Sequence, residues 1–405
     1  MPPLDALGTE YLTLSLEIER IFPGFVDAYM GPDALKTRAN SGDLPDPKAL
    51  LDRAQRLLRD VRISDYGDNR KEFLRAQITG IVISCRKLAG EEIPYVDEVR
   101  NSFDISVASV PDAVLDASLA ELDAVLPGDG SVRERNIAYR RQFIVDQATA
   151  AHLIDLILAE TRIRTQQIID LPPGDEVEIA FVSNQPWSGY NWYLGDARSR
   201  VDINTDLPIH AHGLPGLVAH EAYPGHHTEH ALKDMRLYHG RGYAEQAIQL
   251  INTPECVISE GIAVLAEDIA FGGGQAEWMA TVLMPEAGLK FDPEVYRRVQ
   301  RAGRELRAVA SNAALLFHRD GRSEREVVQY LEHYGLMAEA EAAKRFSFIS
   351  DPLWRPYIFT YSVGRQLLSD WLDQATGEDR IERFRQLLTE QVTPSQVAGQ
   401  IPARA

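Results

Sequence analysis

The segment HEAYPGHHTEH, residues 220–230, holds the residue types that could bind a metal ion and activate water. In a regular helix, histidines at i and i+4 share one face and can hold a zinc ion, and a Glu at i+1 can take a proton from water on that ion. His220 and Glu221 fit this pattern, but the next histidine, His226, comes at i+6. That position lies about 600° around a regular helix and about 9 Å along it. A shared metal therefore requires an interrupted helix.

The Pro224–Gly225 pair predicts such an interruption. Proline lacks an N–H, and its ring clashes with the carbonyl of residue i−4, whereas glycine tolerates unusual backbone angles. If two residues loop out, His226 takes the place of an i+4 ligand. His227 is the competing candidate, but at i+7 of an unbroken helix it would lie about 10 Å from His220. We therefore predict His226 as the second metal ligand and give His227 a supporting catalytic role toward substrate.

A third protein ligand is predicted in the segment CVISEGIAVLAEDIA. Ser259 is a residue type that caps helices, which would put Glu260 in the first turn of a separate helix and Glu267 two turns later. Glu260 is the candidate ligand. The alternative is that Glu260 only complements the positive end of its helix. The histidine cluster as a whole could likewise be structural or surface histidines.

Composition sets the broad class of protein. The chain of 405 residues is 45% hydrophobic and 25% charged, typical of a globular protein, and its net charge of −18 argues against nucleic-acid or anionic-membrane partners. Its two cysteines form no disulfide framework, and no run of apolar residues is long enough to predict a signal peptide or a membrane span. We expect a cytoplasmic protein. The sequence does not predict its oligomeric state.

Most of the chain has helical periodicity. ALLDRAQRLLRDV places its apolar residues on one face, and a long run without Gly or Pro extends from Phe143 to Leu171. The segment YLTLSLEIERIF is ambiguous between helix and strand. After LPPGDEV, the segments VEIAFVS and SRVDINTD alternate as strands do, with an aromatic loop or hairpin between them.

The predicted organisation is therefore one mostly helical domain, residues 1–405. It has a helical part at about 1–170, a small antiparallel β-sheet at about 176–206, and a helical part at about 207–405 that carries the metal site.

These motifs together resemble the bacterial domain of unknown function 885 family, whose members carry His-Glu-x-x-Pro-Gly-His-His. The resemblance covers about residues 180–375. It is carried by SRVDINTDLPIHAHGLPGLVAHEAYPGHH, SEGIAVLAED, FHRDGRSEREVVQYLEHYGL and PYIFTYSVGRQLL. That family is in turn similar to helical zinc carboxypeptidases such as carboxypeptidase Taq, and to angiotensin-converting enzyme.

The resemblance implies a mostly helical, gluzincin-like zincin fold with a deep cleft and one small antiparallel sheet. It implies one Zn²⁺ per chain, held by His220, His226 and Glu260. Other divalent metals stay open, since a His₂Glu site also binds Mn²⁺, Co²⁺ or Fe²⁺.

The same resemblance implies a zinc-dependent hydrolase, a metallopeptidase or carboxypeptidase-like enzyme. Glu221 would act as general base on a zinc-activated water, and Tyr361 or Tyr357 would stabilise the oxyanion. The alternatives are a zinc hydrolase of a non-peptide amide or ester, and a non-catalytic helical scaffold that retains the fold. The scaffold is disfavoured because every implied catalytic and ligand residue is present.

The expected substrate is a peptide or a small amide. The strand around Val201–Asn204 could pair with an extended peptide or be a purely structural edge strand. A carboxypeptidase also needs a cation for the substrate C-terminus, and Arg345, Arg355 and Arg365 are either that cation or ordinary salt-bridging residues. The aromatic segment Trp187–Trp192 could form a substrate wall or pack against the core.

Overall fold

The computed structural model describes residues 4–185 and 187–402 of the chain. Helix accounts for 64% of the residues and strand for 8%, so the predicted mostly helical fold is confirmed. Before the sheet region the α-helices are α1 Ala6–Glu19, α2 Asp33–Ala39, α3 Pro47–Ile63, α4 Asp68–Leu88, α5 Tyr95–Phe103, α6 Asp112–Val125, α7 Val132–Arg141 and α8 Gln147–Ile168. After it they are α9 Leu214–Glu221, α10 His226–Lys233, α11 Glu255–Phe271, α12 Gln275–Trp278, α13 Met284–Glu286, α14 Pro293–Ala302, α15 Val309–His318, α16 Glu324–Tyr334, α17 Glu339–Ser350, α18 Ile358–Leu372, α19 Gly377–Thr389 and α20 Pro394–Ala398. None of the helices in these described ranges has the length and apolarity that a bilayer crossing requires.

Within residues 4–185 and 187–402, seven short strands form three small sheets rather than the single one expected. They are β1 Val26–Tyr29, β2 Ile144–Val145, β3 Glu176–Val182, β4 Gly189–Gly195, β5 Arg198–Asn204, β6 Ile209–His210 and β7 Ile248–Leu250. β1 pairs with β7 and β2 with β6, both antiparallel. These two pairs join the N-terminal helical part to the segments on either side of the histidine cluster.

The largest sheet has the strand order β3-β5-β4 and is mixed, not antiparallel. β4 and β5 form an antiparallel hairpin, and its turn residues Asp196 and Ala197 both have positive φ, 52° and 56°. Two positive φ values match the twist of a tight hairpin. β5 then lies between β4 and β3 and runs parallel to β3.

Most of the segment with the ambiguous pattern, YLTLSLEIERIF, lies in α1, which ends at Glu19. The Asp5 side chain accepts a hydrogen bond from the Gly8 N–H and caps the helix. Leu12, Leu14 and Leu16 are all buried. Because the helix is covered on more than one side, apolar residues occur at every second position and imitate a strand.

Two glycines bring α11 and α18 close together at the candidate site. A Cβ on Gly364 would lie 2.5 Å from the carbonyl oxygen of Val257, and one on Gly261 would lie 2.8 Å from the carbonyl oxygen of Gly364. Only residues without a side chain allow this approach. The contact sets the start of α18 beside the turn of α11 that carries Glu260.

Candidate metal and catalytic site

The helix that carries the histidine motif is interrupted between α9 and α10, as the spacing predicts. α9 ends at Glu221 and α10 begins at His226, with Gly225 as its N-cap residue. The Gly225 N–H donates to the Ala219 carbonyl at 3.0 Å, six residues back, where a regular helix would bond four residues back. Two residues are therefore looped out, and the Tyr223–Pro224 peptide bond in this loop is cis.

The loop brings the three expected metal ligands together. His220, His226 and Glu260 each offer a ligand atom, and these atoms all lie within 4.8 Å of one another. Glu260 Oε2 is 3.3 Å from His220 Nε2 and 3.7 Å from His226 Nε2. Glu260 is 4% exposed, and Oε2 has no hydrogen-bond partner among the described residues. A buried, unpartnered carboxylate oxygen facing two imidazole nitrogens has the donor set of a His₂Glu metal site.

Ser259 fixes which nitrogen of His226 faces this centre. The Ser259 hydroxyl donates to Glu229 Oε2 at 2.5 Å and lies 3.0 Å from His226 Nδ1. Because the hydroxyl proton is already used, Nδ1 must be the donor in the second contact, which leaves the Nε2 lone pair directed at Glu260. Burial also lowers the pKa of His226 to about 3, so the ring stays neutral. Neutral imidazole is the form that binds metal.

The predicted capping role of Ser259 is wrong. α11 begins at Glu255 with Pro254 at its N-cap, so Glu260 lies in the second turn and not the first. A prolyl N-cap with no side-chain hydrogen bond is not the usual capping signal, so the sequence pattern points to Ser259, which lies inside the helix. The alternative role of Glu260, favourable interaction of its negative charge with the helix N-terminus, does not apply, because the helix dipole acts mainly on charges in the first turn.

Glu221 lies beside the ligand cluster in the same cavity. It is 5% exposed, and its carboxylate makes no hydrogen bond or ion pair with any described residue. Burial raises the pKa of Glu221 to about 7; His220 opposes this shift, and Glu260 and Asp27 add to it. A carboxylate that titrates near 7 is suited to exchange protons with substrate and water.

Two tyrosines take different positions around Glu260. The Tyr357 hydroxyl donates to Glu260 Oε1 at 2.8 Å, so it holds the candidate ligand in place. Tyr361 lines the cavity, and its ring stacks on His220 with 6.4 Å between ring centroids. Burial raises the pKa of Tyr361 well above its usual value, so its hydroxyl remains a proton donor. Of the two residues left open by the sequence, Tyr361 is the better placed to donate to a reacting group.

His227 lies outside the cavity. Its side chain is 0% exposed, with Nδ1 2.8 Å from Ser199 Oγ and Nε2 2.7 Å from Asp175 Oδ1. Both ring nitrogens are thus occupied by partners on the sheet side of α10. The expected role of His227 toward substrate does not fit this position. Successive side chains of a helix point about 100° apart around its axis, so His227 faces the sheet while His226 faces the cavity.

A second group of possible ligands overlaps the first. His226, Glu229 and His230 also have ligand atoms within 4.8 Å of one another. The Glu229 carboxylate, however, accepts from Lys233 Nζ at 2.7 Å and from Ser259. With both oxygens engaged, this group is explained as a buried polar network that supports His226.

The strand prediction for substrate pairing is wrong at Val201–Asn204. That segment is the end of β5, which has β3 on one side and β4 on the other, so it has no free edge. A peptide can add only to an exposed strand edge.

The three candidate arginines differ in whether they form ion pairs. Arg355 is ion-paired with Glu98, and Arg365 is ion-paired with Asp268 at 3.0 Å. Arg345 makes no ion pair with another described residue, and its charge acts on Tyr361. Two of the three are therefore ordinary salt-bridging residues.

The cavity has an empty volume of about 960 Å³, including its opening to solvent, and an aromatic wall. Trp187 and Tyr190 line it and pack against each other with 5.1 Å between ring centroids. These two residues of the aromatic segment therefore form part of the cavity wall and do not pack only against the hydrophobic core. Trp192 instead donates from Nε1 to Asp202 at 2.8 Å on the sheet.

Asp27 is a cavity residue that the sequence did not single out. It lies on β1 and accepts a hydrogen bond from the Tyr190 hydroxyl. Burial raises the pKa of Asp27 to about 6; the Tyr190 hydrogen bond opposes this shift and Glu260 adds to it. β1 has only four residues, so no periodic pattern marks Asp27, and only its pairing with the distant β7 brings it to the cavity.

Comparison with known proteins adds information on the fold alone. No protein-family model matches the chain, and no curated protein matches it. A putative lipoprotein from Colwellia psychrerythraea is similar in structure, with a TM-score of 0.54 and 15% identity over 87% of this chain; the chain spans 65% of the length of that protein. A putative lipoprotein of unknown function from Shewanella oneidensis is similar with a TM-score of 0.51 and 14% identity, over 91% of this chain and 76% of the other. At these identities the chain is similar to both in fold only.

Proposed function

We propose that this chain is a zinc-dependent hydrolase that cleaves peptide amide bonds. The observation that carries the proposal is the convergence of His220 Nε2, His226 Nε2 and the unpartnered Oε2 of Glu260, with the Glu221 carboxylate in the same cavity. His₂Glu beside a free Glu is the residue set of zinc hydrolases. The resemblance of the motifs to the domain of unknown function 885 family and to helical gluzincin carboxypeptidases supports the same conclusion.

In this proposal His220, His226 and Glu260 would hold the ion. When bound, the metal would act as a Lewis acid on the substrate carbonyl and make water more acidic. Glu221 accepts the proton of the attacking water, and the same carboxylate returns it to the leaving amine. Tyr361 donates a hydrogen bond to the oxygen that becomes negative, an interaction that can contribute about 3–4 kcal/mol.

A peptide substrate suits the cavity, because the cavity opens to solvent beside the candidate ligands and has an aromatic wall that includes Trp187 and Tyr190. Of the three candidate arginines, Arg345 is the one without an ion pair among the described residues and stays the candidate for a substrate carboxylate, although it does not line the cavity. The cytoplasmic location expected from the sequence stays a prediction; the two structurally similar proteins are described as putative lipoproteins.

The first experiment measures metal and turnover on the same samples. Wild type, His226→Ala and Glu221→Gln are purified without a metal-affinity column and subjected to elemental analysis. We expect about one zinc per chain in wild type and in Glu221→Gln, and loss of zinc in His226→Ala. Peptide hydrolysis should fall at least ~10³-fold in Glu221→Gln, because the proton acceptor is lost while the ligands stay.

A panel of peptides, small amides and esters separates the proposal from its alternatives. Turnover of esters or small amides without turnover of peptides would replace the peptidase proposal by a non-peptide hydrolase. Absence of metal in wild type after zinc is offered, with no turnover of any compound, would favour the non-catalytic scaffold. Full activity of Glu221→Gln would refute the role given to Glu221.

A further inference from the structure

The cavity beside the candidate metal ligands is strongly acidic. Lys233 is the only Lys or Arg among its described lining residues, and it is already paired with Glu229 at 2.7 Å and Glu255 at 3.2 Å. The carboxylates that line the cavity are Asp27, Glu221, Glu229, Asp234, Glu255 and Glu260. One divalent ion at the ligand cluster would still leave these groups with an excess of negative charge. The ligand that complements such a cavity carries a positive charge.

Asp27 is a carboxylate that a β-bulge directs into this cavity, and it has no cationic partner among the described residues. In the β1–β7 pair, Val26 is opposite Leu250 and Ala28 is opposite Gln249, with a register shift between them. Asp27 is thus the extra residue of a β-bulge, a feature that redirects a side chain next to a functional site. Its carboxylate accepts from the Tyr190 hydroxyl, and no described Lys, Arg or His forms an ion pair with it.

Two further features of the cavity fit a cation. Glu221, 5% exposed, lines the same space with its carboxylate unpartnered among the described residues. The rings of Trp187 and Tyr190 form a continuous aromatic surface beside Asp27, with 5.1 Å between their centroids. A carboxylate next to aromatic faces is a favourable environment for an alkylammonium group.

We propose that Asp27, with the Trp187–Tyr190 surface, binds an ammonium group of the substrate, so that the site selects peptides with a positive charge close to the bond that is cleaved. This deepens the proposed function and rests on it for the cleavage step, but not for binding. The ammonium group can be the free α-amino group of a peptide or the side chain of lysine. Either source offers the same N–H donors to Asp27.

Three C-terminally amidated peptides test the proposal. They are trialanine amide with a free amino group, its N-acetylated form, and an N-acetylated form with lysine in place of one alanine. We expect wild type to show at least ~10-fold higher kcat/KM for a peptide with an ammonium group than for the acetylated trialanine, the usual effect of one charge-assisted hydrogen bond. Which of the two charged peptides is preferred identifies the source. Equal kcat/KM for all three peptides would overturn the proposal without any variant.

Asp27→Asn and Asp234→Asn are matched variants of two cavity carboxylates. Asn at position 27 keeps an acceptor for Tyr190 and removes the charge, so the kcat/KM ratio should fall to about 1–2. Asp234 accepts from the Tyr193 hydroxyl at 2.7 Å and, unlike Asp27, also lies 3.3 Å from a histidine nitrogen, His239 Nε2, so its variant should keep the wild-type ratio. A ratio unchanged in Asp27→Asn, or equally reduced in both variants, would show that Asp27 is not the ammonium site.

Calorimetric titration of zinc-loaded Glu221→Gln with the same peptides separates this inference from the proposed function. Tighter binding of an ammonium peptide, with no hydrolysis of any peptide by wild type, would keep the ammonium site and refute the peptidase. Hydrolysis of all peptides at equal rates, with equal binding, would keep the peptidase and refute the ammonium site.

Discussion

Replacing Gly225 by alanine tests whether the looped-out turn builds the metal site. A Cβ at this position would lie 1.9 Å from the His220 carbonyl oxygen and 2.4 Å from the Ala219 carbonyl oxygen. Both contacts are to backbone, so no side chain can rotate away. The φ of Gly225 is −77°, which alanine can adopt. Alanine is therefore disfavoured by the steric clash of its Cβ and not by the backbone conformation.

The size of the effect follows from these distances. Carbon and oxygen atoms normally approach to about 3.3 Å, so the backbone of His220 or of residue 225 must move by more than about 1 Å. Metal–ligand distances tolerate only about 0.2 Å. We therefore expect zinc affinity to fall at least ~100-fold, because His220 and His226 lie on opposite sides of the collision. Overpacking of this kind should also lower the free energy of unfolding of the metal-free protein by ~1–3 kcal/mol.

Zinc affinity is measured by competition with a chromophoric chelator, and stability by urea unfolding of the metal-free protein. Gly213→Ala is the matched control. It precedes the same helix, α9, its φ is −96°, and a Cβ there would meet nothing within 4 Å. We expect the control to bind zinc like wild type. If Gly225→Ala kept its zinc affinity within ~3-fold of wild type, the link between the loop and the ligand geometry would be wrong.

Two further predictions concern histidines. Ser259→Ala removes the partner of His226 Nδ1 and should weaken zinc binding by ~10–100-fold in the chelator assay, and unchanged affinity would contradict the tautomer assignment. Burial lowers the pKa of His212 to about 3, and its Nδ1 has no hydrogen-bond partner among the described residues. In the unfolded chain His212 takes up a proton below about pH 6.5, whereas in the folded chain it does so only near pH 3. The free energy of unfolding therefore decreases as the pH is lowered, by up to ~2 kcal/mol between pH 6.5 and 5. In urea unfolding at these two pH values, His212→Phe should lose less stability than wild type, and an equal loss in both proteins would refute the assignment.

Local patterns predicted the elements well where one pattern dominates. The alternating segments lie in β3 and β5, and the run from Phe143 to Leu171 contains α8. The boundary of α8 was less exact, because Asp146 caps the helix and the residues before it form β2. The sheet was predicted as antiparallel because a strand sequence carries no record of its partner. The insertion of β5 between β3 and β4 is a property of pairing.

The candidate site divides in the same way. Residue types and spacing were sufficient to nominate His220, Glu221, His226 and Glu260, since ligand chemistry and a helix-breaking Pro–Gly pair are both local features.

Contacts between distant segments were decided only by the tertiary structure. Packing placed Tyr357 on Glu260, turned His227 toward Asp175, and brought Asp27 to the cavity through a bulge opposite β7. A side chain's direction depends on how its element packs against others, and sequence periodicity reports which face is buried but not what lies opposite. The sequence by itself thus determined which groups could hold a metal ion, and the fold determined which further groups share the cavity with them.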